Sequence, residues 1–321
     1  MAQRTSLKDV AAAAGVSHMT VSRVVRGARA VKPATVAKVQ RFLRKLDYHP
    51  DPTLSALAAY RTRGHARSTG SVLAFIETEN LPYNLLLLEG ARAEAARLGY
   101  SVEVFPLPAT PAGQRQLSRQ LYHRGIRGLM LSPSDQPHHL REWDWAHFAP
   151  VAMGALRHEP PMHAVAMDYF QGLQTAYAGL RGVGHRRIGL LLQESLEART
   201  NHLWLGAYLS LAQPILRPLL FAQATRSGSF LDPWLKRERP DAILTIHNDW
   251  HQKLARAGVI TAYLNDIAPH PGSPHIRLDA RHIGRESVQR VHLLLLRQEL
   301  GLPTLPKMTL LRGEWNPGEG S

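Results

Sequence analysis

The sequence predicts a small all-α helix-turn-helix head followed by a larger α/β body of two lobes with parallel sheets. Three observations lead to this prediction. Apolar residues recur at helical spacing in the first part of the chain, basic residues concentrate there, and strand-like and helix-like segments alternate from Ser71 onward. A chain of 321 residues has room for both parts. We assign residues 1–48 to the head, 49–70 to a hinge helix and linker, and 71–321 to the body.

Charge is unevenly distributed along the chain. Residues 1–67 contain thirteen Lys and Arg against three Asp and Glu, a net charge of +10, whereas the whole chain carries +14. The remaining 254 residues therefore carry only +4. A basic segment that also shows helical apolar spacing is typical of nucleic-acid binding, whereas a basic solubility tail would lack that spacing.

Composition excludes several classes of protein. The hydrophobic fraction of 44% and the charged fraction of 20% suit packed domains rather than a disordered chain. No apolar run approaches the length needed to cross a bilayer, and the first residues lack the apolar core of a signal peptide. The absence of cysteine excludes disulfides and thiolate metal sites. We expect a cytoplasmic, nucleoid-associated protein without a membrane partner.

Three short helices are predicted in the head. The first begins after Ser6, a good N-cap, and ends at Gly15, which can adopt a positive φ. The second is capped by Ser17 and closed by Gly27, and the third begins near Pro33. Their apolar stripes consist of Leu7, Val10, Ala11, Ala14, Val21, Val24, Val25, Val36, Val39, Phe42, Leu43 and Leu46. A helix, a tight turn and a second helix form the motif whose second helix enters the major groove of DNA.

The residue order in this segment resembles the N-terminal signature of the LacI/GalR family of bacterial regulators. The matching runs are SLKDVA from Ser6, AGVS from Ala14, TVSRV from Thr20 and YHP from Tyr48. The resemblance implies a transcriptional regulator, interpreted here as a repressor, that binds a pseudo-palindromic operator in double-stranded DNA as a homodimer.

The resemblance also implies which side chains contact DNA. Arg23 matches the family's base-contacting arginine, and a guanidinium can bond guanine in two places. His18 and Met19 fall where the family varies to choose its operator, although methionine offers only apolar contact. The hydroxyls on the same helix suit phosphates, or else they only cap the helix and face solvent. The predicted contacts in the head are Ser17, His18, Met19, Thr20, Ser22, Arg23 and Arg26.

The segment 49–70 contains two prolines and then a stretch able to form one short helix, which is marginal alone. In the family, a hinge helix at this place folds when two subunits meet on DNA, and a leucine from each subunit wedges into the minor groove. Alignment from Tyr48 identifies that leucine as Leu57. Leu54 would lie close to the groove floor, where the family usually has alanine, and Pro52 is a second departure. The alternative is a solvated linker whose leucines pack against the body.

The body alternates predicted strands with predicted helices, which calls for parallel sheets covered by helices on both faces. The predicted strands are 71–76, 101–105, 128–131, one near 151, 164–167, 188–192, 242–246 and 259–264. The predicted helices are 85–98, 114–124, 172–181, 202–211 and 249–257. Several phrases, among them EGARAEAARLGY, VAMDYFQG and GLRGVGHRRIGLL, resemble the family's body, which has the fold of a periplasmic binding protein.

That resemblance implies a small-molecule effector, a sugar or sugar derivative, held between the lobes at the carboxyl ends of strands. Asp168 occupies the family's V-x-x-D position and either accepts bonds from ligand hydroxyls or bonds backbone at a crossover. Arg199 follows a strand where the family often has an effector-contacting arginine. Asn248 matches an N-D pair after a strand, and Asp266 lies near the family's cleft-facing acid.

Two cleft motifs depart from the family's pattern. The usual R-x-x-G reads Leu203-Trp204-Leu205-Gly206, and the customary Gly-Phe/Tyr-Asp-Asp is absent. Trp204 and Trp250 could stack on a sugar, but buried aromatic residues more often belong to the core. A regulator that binds DNA constitutively, its effector pocket having degenerated, therefore stays open as the alternative.

Other classes of function are not favoured. A solute-binding protein predicts an export signal, and a sugar-modifying enzyme predicts a catalytic constellation, but no phosphate-cradling loop or nucleophile elbow occurs. The spacing His247-x-Asp249-x-His251 and the pair His138-His139 have a metal-like appearance. Neither has a general base directly after the first histidine of an i, i+4 pair, as a zinc enzyme would, and we interpret them as structural. We expect no catalytic residue, no cofactor and no metal.

Overall fold

A computed structural model describes residues 7–25, 33–46, 71–79, 81–134, 140–154, 159–211, 215–222 and 228–319. The chain divides into two compact units, Met1–Arg67 and Ser68–Ser321. The predicted hinge helix and linker, 49–70, lie outside the described residues.

The head contains the three predicted helices: α1 (Leu7–Ala14), α2 (His18–Val25) and α3 (Pro33–Lys45). Gly15 ends α1 with a φ of +60°, and the amide of Val16 donates to the carbonyl of Ala11 at 3.1 Å. This is the bond of a Schellman turn, which requires the left-handed conformation that glycine adopts without strain. The helices enclose a small core of Val10, Ala11, Ala14, Val21 and Val39.

The body contains eight further α-helices and twelve strands among its described residues. The helices are α4 (Pro82–Arg97), α5 (Pro111–His123), α6 (Tyr169–Gly182), α7 (Glu194–Arg199), α8 (Leu203–Leu209), α9 (Leu231–Glu238), α10 (His251–Arg256) and α11 (Arg281–Arg297). The strands are β1 (Ser71–Glu77), β2 (Tyr100–Pro106), β3 (Gly128–Leu131), β4 (Ala149–Met153), β5 (His163–Met167), β6 (Ile188–Gln193), β7 (Leu219–Phe221), β8 (Ala242–Thr245), β9 (Ile260–Tyr263), β10 (His275–Arg277), β11 (Met308–Leu311) and β12 (Glu314–Asn316).

These strands form two six-stranded sheets, one in each lobe. The first has the order β11-β5-β4-β3-β1-β2 and is parallel throughout. The second has the order β12-β10-β9-β8-β6-β7, and its strands are parallel except β12, which runs antiparallel to β10. The predicted two-lobed α/β body is confirmed, with this antiparallel edge strand as a difference. Strand β12 follows directly from β11 of the first sheet, so the chain enters the second sheet from the side where its other strands end.

The chain passes between the lobes three times. It leaves the first sheet after β5, returns from the second sheet after β10 to form α11, and crosses again between β11 and β12. The last crossing is tight, because a Cβ on Gly313 would lie 2.3 Å from the Cγ2 of Ile276. The two sheets are thus joined by three adjacent strand-exit segments.

Helices α4 and α11 pack with their backbones in contact on the first lobe. A Cβ on Gly284 would lie 2.0 Å from the carbonyl oxygen of Leu87, and one on Gly90 would lie 1.9 Å from the carbonyl oxygen of Arg281. Only glycine allows this approach. Helix α11 was absent from the predicted elements, although it supplies part of the core of the first lobe.

Element boundaries differ from the predictions in identifiable places. The predicted helix 202–211 is α8, and a separate helix, α7, precedes it after a turn in which Asn201 and His202 adopt left-handed φ values of 56° and 58°. The short strands β7, β10 and β12 and the helix α9 were not predicted. Trp204 and Trp250 are each 2% exposed, which confirms that both belong to the core. None of the described helices combines the length and the apolar character that a membrane span requires.

Candidate functional sites: the second helix of the head and the interlobe region

One face of α2 is buried and the opposite face is exposed. Val21 is fully buried against α1 and α3, and Val24 and Val25 are half-buried. On the other side His18 and Arg23 are exposed, and Met19 is 63% exposed. Met19 and Arg23, one turn apart, therefore present a thioether and a guanidinium on one exposed face, and His18 presents an imidazole at the start of the helix. Side chains of this kind can contact base edges.

The start of α2 is held by its N-cap. The hydroxyl of Ser17 accepts from the amide of Thr20 at 3.2 Å, and the two hydroxyl oxygens lie 2.9 Å apart. The predicted cap at Ser17 is confirmed, since a side-chain oxygen here satisfies an amide that the helix leaves unpaired. The hydroxyls of Ser17 and Thr20 thus position the start of α2.

Of the remaining predicted DNA contacts, only Ser22 lies among the described residues. Ser22 lies within α2, between the buried Val21 and the exposed Arg23. Arg26, Leu54 and Leu57 lie outside the described residues. Their assigned contacts stay predictions.

In the body, Asp168 is the N-cap of α6 at the first crossing between the lobes. Its Oδ1 accepts from the amide of Gln171 at 3.0 Å, and its own amide donates to the carbonyl of Leu311 at 2.8 Å. Its Oδ2 lies 3.6 Å from the Nε of Arg312, at the third crossing. Asp168 therefore joins two crossings, which is the second of the two roles that its position suggested.

Asp266 bonds the backbone at the second crossing, which follows β10. Its Oδ2 accepts from the amide of Leu278 at 3.0 Å, just after β10. Burial raises the pKa of Asp266, and the hydrogen bond from Leu278 opposes that shift. Asn248 is exposed and donates from its Nδ2 to the carbonyl of Ala268 at 3.0 Å, closing the loop that follows β9.

Arg199 lies at the end of α7 and is electrostatically coupled to two tyrosines. Burial raises the pKa of Tyr83 well above its usual range, Tyr169 raises it further, and Arg199 opposes the rise. Asp266 also acts on Tyr83, so side chains from both lobes meet here. The hydroxyl of Tyr169 donates to the carbonyl of Gly154 at 2.6 Å, at the end of β4. Arg199 and Asp266 thus both lie close enough to Tyr83 to act on its pKa, and the sequence motifs did not mark Tyr83.

The first-lobe side of this region is occupied by polar groups that bond to one another. The hydroxyl of Thr78 donates to the carbonyl of Ser132 at 2.9 Å, and the amide of Thr78 donates to the hydroxyl of Ser132 at 3.0 Å. Asn84 donates from its Nδ2 to the carbonyl of Glu79 at 2.6 Å, and Ser134 donates to the carboxylate of Glu79 at 2.9 Å. These residues follow β1 and β3, where a ligand between parallel-sheet lobes would contact the protein.

On the second-lobe side of the interlobe region, a buried carboxyl group holds two helices together. Glu197 has a side chain only 1% exposed, and its Oε2 accepts from the amide of Leu205 at 3.2 Å, in the first turn of α8. Burial raises the pKa of Glu197 to about 7, and the bond from Leu205 opposes the rise. Glu197 therefore fixes α8 to the helix that carries Arg199, although no sequence motif identified it.

The two described histidines with metal-like spacing, His247 and His251, pack against other aromatic rings. His247 packs against Phe221 and Trp250 with ring centroids 5.0 and 5.9 Å away, and burial lowers its pKa to about 4. His251 stacks on His270 at 3.7 Å and bonds the hydroxyl of Tyr263 at 3.1 Å. Within the described part of the chain, no three His, Asp or Glu side chains are grouped as a metal site. His138 and His139 lie outside it.

Comparisons of the sequence with known proteins confirm the resemblance that the head predicted. Residues 6–51 match the family model described as bacterial regulatory proteins, lacI family. The chain is 28% identical to the HTH-type transcriptional regulator PtxS of Pseudomonas plecoglossicida over 211 residues, which are 62% of this chain and 56% of that regulator. It is 38% identical to the sucrose operon repressor of Escherichia coli over 119 residues, 37% of this chain and 35% of the repressor. The chain thus spans less than two thirds of either relative.

Comparisons of structure confirm the fold. The lac repressor dimer bound to operator and the anti-inducer ONPF superposes with a TM-score of 0.58 at 20% identity, covering 98% of each chain. The complex of the transcriptional regulator CelR with cellobiose superposes with a TM-score of 0.61 at 21% identity, covering 99% of this chain and 100% of that one. Both the helix-turn-helix head and the two-lobed body therefore have counterparts in a single known architecture.

Proposed function

We propose that this chain, which belongs to the LacI/GalR family of bacterial regulators, is a cytoplasmic, nucleoid-associated repressor that binds operator DNA sequence-specifically. The observation that carries the proposal is the division of α2 within the matched segment. Val21 anchors the helix in the head, Met19 and Arg23 stand exposed on its other side, and His18 is exposed in its first turn. Regulators that match this chain are named as transcriptional regulators or repressors.

The repressor acts as a homodimer on a pseudo-palindromic operator. Two copies of α2 would read half-sites about one helical turn apart, so the symmetry of the protein would appear in the DNA. Leu57, outside the described residues, would wedge into the minor groove and bend the operator. Changing Leu57 to Ala should reduce operator bending in a circular-permutation gel assay, and undiminished bending would refute the wedge.

The regulator responds to a small molecule, a sugar or sugar derivative, bound between the lobes. Support comes from the position of Arg199, Asn248 and Asp266 after second-sheet strands and of Asp168 after β5 in the first sheet. A ligand that contacts both lobes would change their relative geometry and so shift the population of the DNA-binding state. The solved relative with this fold named as a cellobiose complex is consistent with such a ligand class.

The alternative is a constitutive DNA binder, and one observation favours it. Asp168 and Asp266 bond backbone at the crossings between the lobes, and the hydroxyls of Thr78 and Ser132, at the ends of β1 and β3, bond one another. A ligand would have to compete with these internal bonds or use other groups. A thermal-shift screen against sugars and sugar phosphates separates the two functions, because a ligand that binds the folded state must raise its melting temperature. If no sugar or sugar phosphate in the screen raised the melting temperature, the result would support the constitutive DNA binder.

The test of DNA reading is binding-site selection from a random duplex pool by the native chain and by Arg23→Ala. Loss of a bidentate guanine contact costs about 1–3 kcal/mol of discrimination. The variant should therefore lose preference for the selected sequence while it keeps salt-sensitive general binding. Arg41→Ala, which removes the same charge from an exposed site on α3, is the matched control and should select the native sequence. If Arg23→Ala selected the native sequence as strongly, the assignment of α2 as the reading helix would be wrong.

A further inference from the structure

Six exposed Lys and Arg side chains cluster at the amino ends of three neighbouring strands in the second lobe. Two of them precede β6, one precedes β7, one precedes β8, and two lie in the last turn of α9. Strands β7, β6 and β8 are adjacent in the sheet, and their amino ends point away from the interlobe region. The six residues are Arg186, Arg187, Arg217, Lys236, Arg237 and Arg239, named here the second-lobe basic end.

Hydrogen bonds show that these residues form one continuous surface. The Nε of Arg187 donates to the carbonyl of Arg239 at 2.9 Å, and its guanidinium also bonds the carbonyl of Glu238. The amide of Arg217 donates to the carboxylate of Glu238 at 3.2 Å. Three separate segments of the chain are thus bonded together at the carboxyl end of α9, where cations are favoured by the helix dipole.

The two acids bonded into this cluster already have partners. Glu238 receives the guanidinium of Arg237 at 2.7 Å, and this bond, with further help from the Arg217 amide, lowers the pKa of Glu238. Asp241 accepts the amides of Arg186 and Arg187 at 2.8 and 3.0 Å. Of the two carboxylates, only Glu238 forms an ion pair with one of the six exposed side chains, that of Arg237. Six cations against two anions leave a net charge of +4, as much as residues 68–321 carry altogether.

Three of the cations are available to a partner. Arg186, Arg217 and Lys236 are exposed, and no ion pair to them occurs among the described residues. An arginine-rich, exposed surface is suited to phosphate oxygens, which a guanidinium binds with two parallel hydrogen bonds.

We propose that the second-lobe basic end is a second DNA-contacting surface, which binds the phosphate backbone of duplex DNA independently of sequence. Adjacent strands lie about 4.8 Å apart, so three of them present cations over roughly 10 Å. Duplex DNA carries one negative charge per about 1.7 Å of its axis, so a span of this length faces several phosphates. A protein partner would instead require a desolvated apolar centre, whereas the centre of this surface is the charged guanidinium of Arg187, bonded to the backbone carbonyls of Arg239 and Glu238.

The first test measures how DNA affinity depends on salt. The full-length chain is compared with a variant carrying Arg186→Gln, Arg217→Gln and Lys236→Gln, using a random-sequence duplex. Each lost phosphate contact should reduce the slope of log affinity against log salt by about 0.9, so the slope should fall by about 2 to 3. The matched control carries Arg119→Gln, Arg127→Gln and Lys307→Gln, three exposed first-lobe cations, and should keep the native slope. An unchanged slope in the first variant, with its melting temperature preserved, overturns the proposal.

The second test detects the contact directly. Because the chain contains no cysteine, Val183→Cys places a single photo-crosslinker at an exposed site three residues before Arg186. The crosslinker at position 183 should form an adduct with the duplex. The adduct should also form in the Arg23→Ala background, in which DNA binding by the head is weakened. Leu305→Cys is the control, since Leu305 is 73% exposed against 51% for Val183, so exposure alone would favour it. No adduct at Val183, or an adduct that poly-glutamate suppresses as well as unlabelled duplex does, contradicts DNA binding; the latter indicates an acidic protein partner.

Discussion

The second helix of the head and the interlobe region of the body use polar side chains in opposite ways. On α2, Arg23 and His18 stand exposed, and the buried side of the same helix contains only valines. Between the lobes, Asp168 and Asp266 bond the chain's own backbone. The exposed side chains of α2 keep their hydrogen-bonding capacity for a partner outside the chain, whereas the interlobe carboxylates use theirs to hold the three crossings.

This difference shows why a short local motif predicts one site better than the other. The chemistry of the head depends on one helix, whose periodicity decides which residues face outward. The chemistry of the interlobe region depends on residues from several strands, and each of them can bond either a ligand or the neighbouring backbone. Four changes test the contrast, taken from the largest expected effect to the smallest.

Changing Val21 to Asp should abolish DNA binding and leave the body folded. Val21 is completely buried in a core of few residues, and an unpaired carboxylate there costs about 3 kcal/mol or more. Calorimetry should show the transition of the body unchanged, because the head is a separate unit. Ala37→Asp, which adds the same charge at an exposed site of α3, should retain binding with reduced affinity. Joint loss of both transitions would show that the two parts fold as one.

Changing Gly284 to Ala should destabilise the body by about 3 kcal/mol, at the upper end of overpacking effects. The new Cβ would lie 2.0 Å from the carbonyl oxygen of Leu87, and a helix backbone cannot move aside as a flexible side chain can. Gly206→Ala on α8 is the matched control, since no atom lies within 4 Å of its added Cβ. Replacing a glycine inside a helix should there stabilise the body by about 0.5–1 kcal/mol. Equal melting temperatures for the two variants would contradict the close packing of α4 and α11.

The stability of the body should fall as pH rises from 4.5 to 7, because of Glu197. Burial raises the pKa of this carboxyl from 4.5 to about 7 in the folded state, so the unfolded chain loses the proton first. The contribution of the protonated Glu197 to the free energy of unfolding is therefore complete below pH 4.5 and is lost as the pH rises to 7. It amounts to about 3 kcal/mol at most. Thermal melts at several pH values should show this slope in the native chain and not in Glu197→Gln. The control Glu194→Gln, at an exposed position of the same helix, should show the same dependence of stability on pH as the native chain. If the dependence persisted in Glu197→Gln, another titrating group would be responsible for it.

Changing Asp168 to Ala should cost about 1 kcal/mol, the usual value of a helix N-cap. Asp168→Asn should cost less, since the amide oxygen can still accept from Gln171 and the pair with the exposed Arg312 contributes little. Urea unfolding measures both. If a sugar identified by thermal shift bound the native chain and failed to bind Asp168→Asn at equal stability, Asp168 would contact the effector as well as the crossing.

The elements that local periodicity defines were predicted closely. The three head helices and the strands β1, β3 and β6 appear at or near their predicted positions, because each has a clear apolar pattern and a turn residue at its end. Helix α11 and strands β10 and β12 were missed. The strands are only three residues long, and α11 is buried through contacts with α4 that lie far away in the sequence.

By itself the sequence determined that the chain has a basic helix-turn-helix head, which residues of α2 face outward, and that the body alternates strands and helices. These properties follow from charge and from the spacing of apolar residues, both of which are local. Only the tertiary structure decided that Asp168 and Asp266 hold the crossings, that Tyr83 and Glu197 take part in the interlobe region, and that six distant cations converge on one end of the second lobe. Such arrangements depend on which strands become neighbours, and strand order is set by the packing of the whole body rather than by any single segment.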